Sequence, residues 1–379
     1  MPAILFVMKY PLHRRDNLQT KFDGQLAAAR ALGWDAFHIG WDETGLWLVS
    51  AQGRTLLTRA PLVRLRGYDH TLLFIDLMAA VRKALRIVKP DVLYLRYMPT
   101  FGGALRAMRQ LKAMGGKLVV EFPTYPKDAE NSRFFLRRLV FDYTDRVLMK
   151  INPLVDLYTL IGQPCEGGRL DGRPAVNIVN GVDVSAFPLH APNAGDPAVR
   201  LLALASMSGW HGYDRILTAL NAYTGGADVR IEMVGGDGDG SLAAWQALAE
   251  RLGLQNRVTY HGPLHGAALD RLIETCDIGV GSLGMYRYGL QTGMTLKLRE
   301  YMARGLPFLS AVSDPALPAD PAFALQVPND DSEIDMAAVV AFAQNAKQDA
   351  GVAARMRAHA EATLSWTGVL RGVLERVCP

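Results

Sequence analysis

Residues 199–220 read VRLLALASMSGWHGYDRILTAL, and the order of their chemistry decides the fold. An apolar run of strand length, VRLLALAS, ends in the small residues SMSG. A segment of helical period carrying Asp214 and Arg215 begins beyond His211 and Gly212. A strand delivered through a tight turn into a helix is the repeating half-unit of a parallel α/β sheet. Small residues on such a turn let backbone N–H groups converge, an arrangement suited to phosphate oxygens as well as to a plain connection.

The alternation extends in both directions. Downstream, DVRIEMVG, RVTYHG, DIGVGS and PFLSAV are strand-length apolar runs separated by helical segments. Upstream, AILFVMKY, DAFHIG, DVLYLRY and KLVVEF play the same part, with helices expected near 17–33, 70–88 and 102–114. GLWLVSAQGRTLLTRA alternates instead, with a turn at Gln52–Gly53, and reads as a hairpin insertion. No sequence period is visible, so the halves share an architecture without forming a tandem repeat. The turn-rich stretch NGVDVSAFPLHAPNAGDPA marks the junction. The domains expected are 1–184 with the helical 365–379, and 185–364. Ligands of open α/β sheets bind beyond the carboxyl ends of the strands, so two such domains imply a cleft.

At 379 residues the chain exceeds the size at which a single core keeps growing. Hydrophobic residues make up 50% and charged residues 21%, which excludes a disordered chain. Charge interrupts every apolar run short of the roughly 20 residues of a spanning helix. MPAILFVMKYP lacks the basic start and cleavage site of a secretion signal and reads as a first strand. Three separated cysteines suit neither a disulfide scaffold nor a zinc site, and a cytoplasmic location is expected. The net charge of +4 conceals an imbalance. Residues 1–180 hold about 26 basic and 16 acidic side chains, the remainder about 15 and 21. A membrane face or an anionic acceptor fits the basic half better than nucleic acid, since no nucleic-acid module is present.

Other motifs sort quickly. VGGDGDGS follows a strand but puts Ser241 where a dinucleotide fingerprint needs its last glycine, and Asp237 and Asp239 would repel a pyrophosphate. It reads as a strand-to-helix turn beside a ligand, Gly236 included. The phosphate-loop and G-x-S-x-G signatures are absent. His261 and His265 have helical metal-ligand spacing, but Gly262 and Pro263 break the helix, so no metal site is expected. In TGMTLKLREYMARGLPFLS (292–310) a helix entered at Thr295 and left at Gly305 carries Lys297 and Glu300. Either they are surface pairs contributing about 0.2–0.5 kcal/mol each, or the helix start and Lys297 hold a phosphate while Glu300 holds sugar hydroxyls. In the first half, Lys9 and Tyr10, Arg96, and Glu121, Thr124, Tyr125, Asp128 and Glu130 stand at three strand ends. Pro123 and Pro126 restrain the last group as an exposed loop, and together the three ends form a candidate acceptor wall.

The order NGVD, WHGYDR, VGGDGDG, RVTYHG, CDIGVGSLG and LKLREYMARGLPF resembles the nucleotide-sugar-binding domain of GT-B glycosyltransferases, most of all the retaining family 4, also called group 1. KPDVLYLRY and EFPTYPKDAE resemble a subgroup of bacterial surface-polysaccharide pathways. The resemblance implies two Rossmann-like domains facing across a cleft, with the last helix crossing back. It also implies metal-independent transfer, without a cofactor, from a nucleotide-diphosphate sugar to a glycan or lipid-linked acceptor, and peripheral contact with the inner membrane face would give access to the latter. Glu300 matches the second glutamate of E-x7-E, which binds ribose. Lys297 falls near the diphosphate, and His211–Gly212 stands at the usual Lys–Gly. Asn180 and Gly181 match the junction turn. With Gly209, Arg215, Gly236, Arg287, Thr295 and Leu296 these complete the expected donor site. Asp128, Tyr125, Thr124 and Glu130 are the expected catalytic group, and Lys9, Tyr10 and Arg96 are expected to bind the acceptor. Thr292, Ala205 and Pro123 depart from the family's glutamate, arginine and histidine, leaving Arg215, Arg287 and Lys297 to restore positive charge. An epimerase of the same fold, and an inactive sugar-nucleotide-binding partner, are the alternatives.

Overall fold

The computed structural model describes residues 1–12, 17–59, 72–98, 103–125, 135–163, 165–191, 195–318 and 321–378. The chain divides into one unit of Met1–Val179 with Trp366–Pro379 and a second of Asn180–Ser365.

The first unit runs β1 (Ala3–Pro11), α1 (Asn17–Ala31), β2 (Asp35–Asp42), β3 (Gly45–Ser50), β4 (Gly53–Arg59), α2 (Leu72–Val88), β5 (Val92–Arg96), α3 (Ala104–Ala113), β6 (Lys117–Tyr125), α4 (Phe135–Ile151), β7 (Leu157–Gly162), β8 (Arg169–Leu170) and β9 (Arg173–Asn177). Its sheet has the order β4-β3-β2-β1-β5-β6-β7-β9-β8. The central pairs are parallel, while β3 and β4 extend the β2 edge in antiparallel fashion. The stretch read as an inserted hairpin is therefore part of the sheet. Ile4, Leu5, Phe6 and Val7 of β1 are all buried, as expected of a parallel strand covered on both faces. Leu5, Val7, Leu93 and Val120 pack with Leu77, Val81 and Leu85 of α2 and Met108 and Leu111 of α3.

β6 departs from the sequence reading. The chain stays in the sheet past Pro123 to Tyr125, because Tyr125 resumes pairing with Gly162 of β7 after a register shift. Glu121 thus lies inside the sheet, 1% exposed, and is not part of an exposed loop. Asp128 and Glu130 fall outside the described residues.

The second unit runs β10 (Val199–Leu204), α5 (Tyr213–Ala222), β11 (Val229–Val234), α6 (Ser241–Arg251), β12 (Val258–Gly262), α7 (Gly266–Ile273), β13 (Ile278–Val280), α8 (Leu296–Arg304), β14 (Phe308–Ser310), β15 (Ala324–Gln326), α9 (Met336–Gln348) and α10 (Val352–Thr363). Its six strands are all parallel, in the order β12-β11-β10-β13-β14-β15. Counted within the unit this is 3-2-1-4-5-6, the doubly wound order whose direction reverses between the first and fourth strands. A crevice opens at such a reversal beyond the carboxyl ends of those two strands, here β10 and β13. The last helix, α11 (Trp366–Val377), belongs to the first unit and packs on α1, where a Cβ added at Gly24 would lie 2.5 Å from the Trp366 ring. Among the described residues no helix is long and apolar enough to cross a membrane.

Candidate functional site

At the strand-order reversal, the loops after β10 and β13 are tied together. The chain leaves β10, makes a short 3-10 turn over Gly209–His211, and enters α5 through Gly212. The Leu283 N–H donates to the His211 carbonyl at 2.9 Å, and the Gly284 N–H to Trp210 at 3.1 Å. Gly212 has φ +60°, and a Cβ there would stand 2.4 Å from the Gly284 nitrogen. Both conditions require glycine.

Lys297, in the first turn of α8, points into this junction. It is 6% exposed, and its Nζ lies 2.9 Å from His211 Nδ1 and 2.8 Å from the Tyr213 hydroxyl. No carboxylate pairs with it among the described residues, and burial pushes its pKa well below the usual lysine range. Burial holds His211 well below the ordinary imidazole value, and a charge on Lys297 would lower it further. Ahead of Lys297, Thr295 sits in the N-cap position with extended backbone, yet makes no side-chain cap bond, and its Oγ1 is buried without a partner. The first amides of α8 are consequently uncapped, and the positive end of the helix dipole lies beside the lysine.

Three anchors hold α8 in place. Arg299, 1% exposed, makes a bidentate ion pair with Asp314 at 2.7 and 3.0 Å and donates to the Asn180 carbonyl at 2.8 Å. Asn180 in turn donates to the Met294 carbonyl at 2.6 Å. Tyr301 donates to Leu202 of β10 at 3.2 Å. The NGVD turn therefore fixes the start of this helix, a link that local sequence does not reveal.

The expected donor residues divide into two groups. His211, Gly212, Thr295, Leu296 and Lys297 surround the helix start. Glu300 uses Oε1 to accept from Arg304 at 2.9 Å and leaves Oε2 without a hydrogen-bond partner among the described residues. Burial pushes its pKa up. The remainder are occupied elsewhere. Arg215 donates to the carbonyls of Leu283, Pro328 and Ser332 at 2.7, 3.0 and 2.9 Å, so it straps distant loops together and does not supply charge at the rim. Arg287 forms a bidentate pair with Asp214 at 3.0 and 2.7 Å. The Gly209 N–H already donates to Asp239 at 3.0 Å, and the Gly236 carbonyl accepts from Met207 at 2.8 Å. Trp210, Tyr213 and Ser282 escaped the sequence reading as site residues. Tyr213, two residues past His211 in the first turn of α5, was the most accessible of them.

In the first unit Glu121 is the hub of a buried polar cluster. It accepts from Lys21 at 2.8 Å, Gln25 at 3.0 Å, Tyr94 at 2.8 Å and Arg96 at 3.2 Å. Burial alone would raise its pKa, but Lys21 and then Arg96 outweigh it and hold the carboxyl at about 2. Arg96 is thereby partly spent on Glu121. Tyr10 donates to Asp23, and its ring lies 4.5 Å from that of His38. Lys9, Thr124 and Tyr125 stand at the carboxyl ends of β1 and β6.

Residues 198–345 match the family described as Glycosyl transferases group 1. No curated protein matches the chain in sequence. Solved structures that are similar throughout include a sucrose-phosphate synthase of Thermosynechococcus elongatus, 14% identical, with a TM-score of 0.67, covering 99% of this chain and 98% of that one. HepE of Anabaena in complex with UDP is 16% identical, with a TM-score of 0.63 and 99% of both chains covered. The pneumococcal O-GlcNAc transferase GtfA in complex with UDP and GlcNAc is 11% identical, with a TM-score of 0.61 and the same coverage. Residues 198–345 thus form a group 1 glycosyltransferase domain in a chain of GT-B fold, and the enzyme class they indicate is glycosyltransferase.

Proposed function

We propose that the chain transfers a sugar from a nucleotide-diphosphate sugar to a hydroxyl of a glycan or lipid-linked acceptor in bacterial polysaccharide or glycoconjugate synthesis, with retention at the anomeric carbon. The observation that carries this reading is Lys297, a buried amine with no acidic partner among the described residues, beside the uncapped start of α8 at the strand-order reversal. The donor's diphosphate lies against these N–H groups and the Lys297 amine. As the glycosidic bond breaks, negative charge grows on the leaving phosphate, and fixed donors aimed at that charge lower the barrier without a metal. Glu300, one turn further along, accepts from the ribose hydroxyls through its free Oε2. Uridine is the favoured base, in keeping with the UDP bound to HepE and to GtfA.

Attack comes from the face the leaving group departs, assisted by the leaving phosphate. Asp128, Tyr125, Thr124 and Glu130 are assigned to the reacting acceptor hydroxyl, and Lys9, Tyr10 and Arg96 to the rest of the acceptor. Work at the cytoplasmic face of a membrane fits the basic first half of the sequence. Titrating wild type, Lys297→Ala and Glu300→Ala with UDP-sugars, read as thermal shifts, tests the donor site. Each variant removes a charge-assisted hydrogen bond, so donor binding weakens roughly tenfold to a hundredfold without loss of fold. Two variants that bind like wild type would place the donor elsewhere.

A further inference from the structure

The hydrogen bonds around Lys297 bear on its protonation state, and that state has a consequence for donor binding. Trp210 Nε1 lies 2.8 Å from His211 Nε2. An indole N–H can only donate, so Nε2 accepts and carries no proton. A neutral imidazole then keeps its single proton on Nδ1. Nδ1 faces the Lys297 amine at 2.9 Å and, more distantly, Ser282 Oγ at 3.3 Å.

An ammonium group has three donors and no acceptor, so against Nδ1–H it would set donor against donor. A neutral amine resolves the conflict. Its lone pair accepts from Nδ1–H, and one of its hydrogens is donated to the Tyr213 hydroxyl at 2.8 Å. That hydroxyl lies 3.5 Å from the Leu204 carbonyl and 3.4 Å from that of Val280. The charged alternative would require both ring nitrogens to accept, which makes the ring an imidazolate.

The surrounding charges offer no rescue. On α8 itself Glu300 is paired with Arg304, and Arg299 with Asp314. On α5 Asp214 is paired with Arg287, and Arg215 is committed to carbonyls. The loop after β13 presents the Ser282 hydroxyl, the Ser206 carbonyl after β10 accepts from the His211 ring, and Asp239 after β11 is held by the Gly209 N–H and Ser241.

We infer that Lys297 is a neutral amine in the free protein, held so by Trp210 acting through His211, and that it takes up a proton from solvent when a diphosphate arrives. Trp210 and His211 are then positioning residues that set the charge state of the anion-binding amine. The anion supplies the negative charge that no described residue offers the amine: the amine gains one proton, turns its donors to phosphate oxygens, and releases His211 Nδ1–H to Ser282. The uptake rests on the donor placement proposed above, while the neutral free state does not, and the two are tested separately.

The free state is read from protein carrying 13C-lysine, with the Lys297 Cε resonance assigned through Lys297→Arg. At pH 8 the resonance is expected at the neutral-amine position, and in Trp210→Phe at the charged position, because Nε2 can then hold the ring proton and leave Nδ1 as an acceptor. A Lys297 resonance already charged at pH 8 in wild type would overturn the inference.

Uptake is measured by calorimetry with UDP-glucose, whose diphosphate diester does not titrate between pH 6 and 9, in buffers of different ionisation heat. Close to one proton taken up per site at pH 8 is expected. Binding should weaken about tenfold per pH unit between the free and bound pKa values, with both effects diminished in Trp210→Phe. Tight binding without uptake would refute the linkage and spare the donor site. Failure of wild type to bind UDP-glucose would refute the donor placement, and with it the uptake.

Discussion

Replacing Arg299 by methionine tests what orients α8. The guanidinium is 1% exposed, and so is the Asp314 carboxylate it pairs with. Methionine retains much of the apolar stem and removes three donors, to Asp314 Oδ1, Asp314 Oδ2 and the Asn180 carbonyl. Asp314 would keep only the Ala316 N–H at 3.0 Å. Removing one partner of a buried ion pair costs about 3–5 kcal/mol, most of it the penalty of the stranded charge. For a unit of this size roughly 2–4 °C is lost per kcal/mol, so Tm falls by about 6–20 °C. The control is Arg299→Met with Asp314→Asn, which removes the stranded charge and recovers at least about 1 kcal/mol, a coupling that independent sites do not show. Urea unfolding by circular dichroism gives both numbers, and hydrogen exchange over residues 296–304 shows whether the loss is centred on α8. A single variant within 1 kcal/mol of wild type, or strictly additive changes, would mean that the pair does not anchor the helix.

Two further perturbations probe the scaffold. Burial, followed by the charge of Arg30, lowers the His38 pKa from 6.5 to about 4, and neither ring nitrogen has a hydrogen-bond partner among the described residues. Its neutral form is favoured in the fold, so its contribution is fully present above pH 6.5 and disappears as the pH falls towards 4. This gap corresponds to roughly 3 kcal/mol. His38→Leu should flatten the acid limb of the stability curve by up to that amount, and a curve parallel to wild type would show that His38 is not responsible. Gly212→Ala combines a left-handed backbone with a Cβ 2.4 Å from the Gly284 nitrogen, so the two loops must part. A loss of about 1–3 kcal/mol is expected, together with weaker UDP-glucose binding. Unchanged affinity in a folded protein would detach that contact from the donor site.

The second unit was largely legible because its signals are local. A strand-length apolar run, small residues and then a helical period recur along it, and α8 ends at Gly305 with φ +72°, where its glycine and following Pro307 placed the stop. The turn expected at Gln52–Gly53 lies one residue earlier, at Ala51–Gln52, and likewise announced the β3–β4 pair. What sequence could not show depends on partners far along the chain. Pro123 reads as the start of a loop, yet β7 supplies the pairing that keeps Thr124 and Tyr125 in the sheet. Glu121 reads as a polar group at a strand end, but Lys21 and Gln25, about a hundred residues away, enclose it. Arg215, in the first turn of a helix beside a phosphate-like loop, has the local signature of an anion ligand. The carbonyls that claim it come from residues 68, 113 and 117 positions distant.

These commitments change the arithmetic of charge at the donor site. The sequence offers Arg215, Arg287 and Lys297 as replacements for the family cations missing at Ala205 and altered at His211. In the fold, Asp214 cancels Arg287, and Arg215 is enclosed by carbonyls, which leaves Lys297. On the donor placement proposed above, a single buried amine beside an uncapped helix start meets the diphosphate, with the helix dipole as its partner among the described residues. Desolvation makes each of its hydrogen bonds stronger than a surface contact, and equally makes the bare charge costly before the anion arrives. His211 and Trp210 relieve that cost by holding the amine neutral until it is needed. A histidine in place of the family's lysine is then coherent with the remainder of the site. A permanent cation at position 211 would oppose the proton that Lys297 takes up, at a place where no described carboxylate pairs with the amine.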